Sequence, residues 1–203
     1  DICRTLALPF GSLHMPTDAE ADHTLSYLHR GLPNKYGNSD IFMGFETSCG
    51  RRILTCRWKD LDARIELERK NPDSLVVNLP FDENRHAFYY NHKINCMTAE
   101  GYVRTHSHEW TFDPEDSFGI LDWGRGVWPF HNEWYWSNGS GWLNSEMFGF
   151  NLGCGFGNTD IASENILFYR GTSHKLGKVD FILGKDYMDP WHLRDREGRL
   201  DLC

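Results

Sequence analysis

The sequence contains no apolar run near the roughly 20 residues that a membrane helix needs, although 40% of its 203 residues are hydrophobic. It also lacks a cluster of Lys and Arg, and its formal net charge is −8. That balance argues against a nucleic-acid backbone or a basic membrane-surface stripe as partner. Among its six cysteines there is no C-x-x-C pair, so no disulfide framework is indicated. A chain of this length buries roughly 70% of its unfolded surface and folds without such staples. Reduced thiols and a cytoplasmic location are the resulting expectation. No secretory leader is visible. From the abrupt apolar start, DICRTLALPF, and the strand-like end, GRLDLC, the expectation is a fragment of a longer protein.

Chemical signatures are missing too. There is no G-x-S-x-G elbow, no phosphate-loop glycine pattern, no βαβ alternation and no repeat of fixed period. No cofactor is expected. Helical periodicity is scarce. Its best instance is Asp18–Arg30, where Asp18 serves as cap and Leu25 and Leu28 share a face, ended by Gly31-Leu32-Pro33.

What is present is a series of short strands separated by turn residues such as Asn71-Pro72-Asp73, Asp113-Pro114, Asn138-Gly139 and Arg170-Gly171. ARIELER alternates cleanly, whereas FGILDWG and MFGFNLG are apolar on both faces. The 19 glycines suit a sheet that bends. The expected fold is all-β, either an antiparallel barrel or two packed antiparallel sheets, with one short N-terminal helix. It is read as one β-rich domain over 1–203, with a candidate boundary near 70–75 between two β sub-domains.

The richest segment is DWGRGVWPFHNEWYW, residues 122–136, which holds four of the eight tryptophans. Asp122 continues the face of Phe118 and Ile120. A carboxylate among aromatic side chains is costly unless paired or protonated, and Arg125 is the nearest partner in sequence. The pair reads as an acid or ligand anchor, or else as a structural bridge holding the corner at 124–126. Trp134 and Trp136 point one way, Tyr135 the other. Their rings suit stacking on sugars or lining a cavity, or plain sheet packing. Trp123 and Trp128 read as core. Glu164 and Asn165 open the ENILFYR strand and either face a cavity mouth or cap a turn. Asn151, Asn132 and His174 complete the candidate ligand contacts. Asp122 with Glu164 or Glu133 forms a potential carboxylate pair for glycoside cleavage. His106 and His108 have H-x-H spacing on an expected strand, but no third ligand is fixed, so no metal is expected.

Several of these pieces occur in a fixed order: AFYYNHKINCM with AEG (87–101), DWGRGVW (122–128), N-x-WYW, FGFNLGCGFG (148–157), SENILFY (163–169), SHKL (173–176) and PW (190–191). Together they resemble the family grouped as domain of unknown function 2804. That resemblance implies a longer parent protein and, at fold level, a lipocalin-like (calycin) barrel. The residues themselves support three functional expectations. The first is an apolar or amphipathic small molecule bound in an aromatic-lined cavity, with Asp122 as an acid, Arg125 tuning it and Glu164 in support. The second is a carbohydrate-binding or carbohydrate-active domain using the same tryptophans. The third is a structural module without ligand. A closed apolar pouch favours the first; an open surface with exposed tryptophans favours the second.

Overall fold

The computed structural model describes residues 34–37, 40–48, 50–82 and 84–203, all of whose regular elements are strands. The helix expected at Asp18–Arg30 lies outside the described residues. No described helix is long and apolar enough to cross a membrane. The chain divides into two compact units, one taking the described residues up to Lys70 with Met97–Gly119, the other Asn71–Cys96 with Ile120–Cys203.

The first unit is an antiparallel meander of β1 (Asn34–Gly37), β2 (Ile41–Ser48), β3 (Arg51–Trp58) and β4 (Leu61–Arg69). β4 then pairs with the Met97–Arg104 half of β6 (Asn84–Arg104), which also pairs with β7 (Glu109–Phe112). Lys59, at φ 53°, takes the left-handed conformation in the tight β3–β4 turn. The β6–β7 turn is closed by the Thr105 N–H donating to the His108 carbonyl at 2.8 Å. His106 and His108 therefore sit in a turn, not on a shared strand face. His108 stacks on Trp110 with centroids 5.6 Å apart. Among the described residues no group of three His, Cys, Asp or Glu is gathered for a metal.

The second unit contains β5 (Leu75–Phe81), the Asn84–Cys96 half of β6, and most of β8 (Phe118–Val127), both β5 and β8 pairing with β6. It adds a four-stranded sheet in the order β12 (Thr172–Lys175), β11 (Ile166–Tyr169), β10 (Glu146–Cys154), β9 (Tyr135–Leu143). A three-stranded sheet of β13 (Val179–Ile182), β14 (His192–Asp195) and β15 (Asp201–Leu202) completes it. Two-residue turns set the registers. Asn144 and Ser145, at φ 52° and 64°, join β9 to β10; Arg170 and Gly171, at 53° and 75°, join β10's neighbour β11 to β12. Left-handed conformations at both turn positions match the twist of the flanking strands.

Alternation divides β10 between two surroundings. Phe148, Phe150 and Leu152 pack with Leu176, Val179, Leu193 and Leu200. Met147, on the other face, packs against Leu75, Cys96, Ile166 and Phe168, which brings β5 and β6 against β10 and β11. The sheets are antiparallel, and among the described residues none closes into a barrel.

Candidate functional site

Within the second unit, β6 departs from the pattern of a buried strand. Its odd positions, Tyr89, Asn91, Lys93 and Asn95, share one face, and Asn91, Lys93 and Asn95 are buried. Beside them β5 presents Leu75, Val77 and Leu79 in register with Lys93, Asn91 and Tyr89. A buried ammonium is tolerated only with anionic partners, and Lys93 has two. Its Nζ lies 2.9 Å from Asp122 Oδ2 and 2.8 Å from Glu164 Oε2. It also sits 4.8 Å from the ring centroid of Trp136, a cation–π contact.

Asparagines extend the network. Asn91 donates from Nδ2 to Asp122 Oδ1 at 2.8 Å and also to the Tyr89 hydroxyl. Asn151 Oδ1 accepts from Trp136 Nε1 at 2.9 Å and from Asn138 Nδ2 at 3.0 Å. Its Nδ2 donates to the Glu164 carbonyl at 2.9 Å and to Glu164 Oε2 at 3.2 Å. Asn95 Nδ2 donates to Asn138 Oδ1 and the Phe150 carbonyl, each at 2.9 Å. Two glycines make room. A Cβ on Gly153 would stand 2.2 Å from Glu164 Oε1, and one on Gly124 would stand 2.6 Å from Tyr89 Cε2 and 3.0 Å from Asn91 Nδ2.

The network has an inner and an outer end. The Lys93 and Glu164 side chains are 2% and 6% exposed, whereas Asp122 is 36% exposed. Near the outer end is an aromatic cluster centred on Phe156, whose ring lies 4.7 Å from Tyr89, 5.0 Å from Trp134 and 5.7 Å from Trp128. Tyr89 connects the two parts: its ring packs in this cluster and its hydroxyl meets Asn91. Burial and the charges of Asp122 and Glu164 push the Tyr89 phenol well above its ordinary range, so it stays a neutral hydroxyl. Trp134, Trp128 and Trp136 are 51%, 44% and 37% exposed as whole residues.

The structure thus brings together Asp122, Glu164, Trp136 and Asn151, with Trp134 in the adjoining aromatic cluster. It separates the others. Arg125 is three residues from Asp122 on a strand, hence on the opposite face, and among the described residues it forms no ion pair; Lys93 takes the place expected for it. Asn165 points away from Glu164, its Oδ1 accepting the Gly153 N–H at 2.7 Å and its Nδ2 donating to the Gly177 carbonyl at 2.9 Å. Asn132 bonds back to the Pro129 carbonyl within its own loop. His174 is exposed on β12, opposite Leu167. Trp128, expected in the core, is a partly exposed ring.

Sequence reasoning missed Lys93, Asn91, Asn95, Asn138 and Tyr89. The available signal was the alternation in YYNHKIN, which puts a polar group at every second position of a strand bounded by apolar ones. One family model, described as Domain of unknown function (DUF2804), matches residues 3–203. No curated protein and no solved structure matches the chain significantly.

Proposed function

The chain belongs to the DUF2804 family, and from the geometry of its site we propose that it binds a small amphipathic molecule rich in hydroxyls, a saccharide being the class that fits best. The observation that carries this reading is the position of Asp122: the solvent-reaching end of an otherwise buried network, with exposed indoles close by. A sugar offers apolar C–H faces to aromatic rings and hydroxyl donors to a carboxylate. Trp134 and Trp128 supply the rings, Asp122 the acceptor, and Lys93 holds that acceptor in place.

The alternative of Asp122 as an acid in a closed apolar cavity has less support. Asp122 receives hydrogen bonds on both oxygens, from Lys93 and Asn91. That is the geometry of an anchoring acceptor, not of a proton donor. The interior beneath it is lined by asparagines and charges, and the described sheets are open, whereas a lipocalin-like pouch requires a closed ring of strands.

Calorimetric titration with linear tetrasaccharides, neutral and amine-bearing, tests the proposal. Binding by the wild-type chain, weakened at least about tenfold (~1.4 kcal/mol) by Trp134→Ala, is the expected result. No heat with any tetrasaccharide, while circular dichroism reports a folded β protein, would leave the network as a polar core without a ligand.

A further inference from the structure

We infer that the ligand of this site carries a positive charge, as an amino sugar does; the inference rests on the saccharide reading above and narrows it. The cluster holds one cation, Lys93, against two anions, Asp122 and Glu164. Glu164 also feels the charge of Lys175, whereas Asp122 only shares Lys93 and pairs with no other cation among the described residues. The uncompensated charge therefore lies at Asp122, the acid that reaches solvent. Arg125, the cation nearest in sequence, lies on the other face of β8 and does not offset it.

A second observation is independent of that charge count. Asn91 is completely buried, and its amide nitrogen is spent on Asp122 and Tyr89. Among the described residues its Oδ1 has no hydrogen-bond partner. Buried acceptors are almost always satisfied. Asn95 Oδ1 is orphaned as well, but Asn91 is the residue that bonds Asp122, so the outer end of the network holds an acceptor that no described donor satisfies. An ammonium group brings three donors and a compensating charge; a hydroxyl brings one donor and none.

The aromatic groups point the same way. Trp136 already holds a cation against its ring, in Lys93. Trp128 and Trp134 present further indoles to solvent, and the faces of such rings attract cations. The net charge of −8 adds long-range attraction for a cationic ligand.

The test is calorimetric titration of the whole chain with three probes: a glucosamine tetramer, its N-acetylated counterpart and a glucose tetramer. The glucosamine tetramer is expected to bind at least tenfold more tightly than the other two. Raising sodium chloride should shrink that preference in the wild-type chain, a readout that depends on no variant folding. Asp122→Asn should erase most of the preference, and Trp134→Ala should weaken all three probes, the glucosamine tetramer most. Equal affinities, or a preference for a neutral probe, overturn the inference and leave the saccharide reading standing. Binding of none of the three overturns both.

Discussion

Lys93 and Glu164 form an ion pair at 2.8 Å in which both side chains are nearly inaccessible to solvent. Removing one partner of such a pair strands the other charge, at a cost of about 3–5 kcal/mol. Here it also leaves Asp122 and Glu164 without the cation between them. Lys93→Met is therefore expected to lower the free energy of unfolding by that amount in urea titrations. A loss below about 1 kcal/mol would mean that the charges relax into solvent and that the network does not organise the unit.

Asn151 uses all of its hydrogen-bonding capacity on Trp136, Asn138 and Glu164. Leucine has a similar volume and none of those groups. Each buried partner left unsatisfied costs about 1–3 kcal/mol, so Asn151→Leu should destabilise the chain by at least about 2 kcal/mol despite adding an apolar side chain. A neutral or stabilising effect in chemical denaturation would contradict this.

Gly153 tests the same network through space. A methyl at this position overlaps the Glu164 carboxylate, and the flanking backbone is fixed by pairing with Trp136. Gly153→Ala should swing Glu164 off Lys93. Its cost and that of Lys93→Met should then fail to add in a double-mutant cycle, by at least about 0.5 kcal/mol. Strict additivity would show that the two positions act separately.

Much of the architecture was legible in the residues. Most strands follow from alternation and turn chemistry, and Arg170-Gly171 and the two faces of MFGFNLG are found where the pattern put them, whereas Asn138-Gly139, expected as a turn, lies within β9 and pairs with β10. Half of the candidate site was legible as well, because Asp122, Glu164 and Trp136 are conspicuous. The missing half had two physical causes. Arg125 is the cation closest in sequence, but an odd spacing on a strand sends side chains to opposite faces. Lys93, the actual partner, is 29 residues away from Asp122, and only sheet pairing brings it near. A lysine in a strand reads by default as solvent-facing; the asparagines two residues to either side were the clue that this one faces inward.

Alkaline pH offers a separate check. Burial pushes the Cys96 thiol up to about 11 from its ordinary 9.0. Between pH 9 and 11 the unfolded chain has released this proton while the folded one keeps it. The stability contributed is thus complete below pH 9 and lost as pH rises through 11. Tyr89, also raised, acts in the same direction. Lys175, held down to about 8 by burial, opposes them between 8 and 10.5. Comparing the wild type with Cys96→Ala isolates the thiol: the variant should keep stability that the wild type loses between pH 9 and 11. Parallel pH profiles would show that Cys96 is not enclosed as described.

The most direct measurement of the central claim is a titration of the chain, with its tryptophan indole nitrogens labelled, against the glucosamine and glucose tetramers by heteronuclear NMR. The indole N–H of Trp136 donates to Asn151, and Trp128 and Trp134 share the Phe156 cluster. Saccharide binding beside Asp122 predicts shifts at these three indoles, with Trp58, Trp110, Trp142 and Trp191 unchanged. Shifts confined to those four, or no shift at any indole, would contradict it.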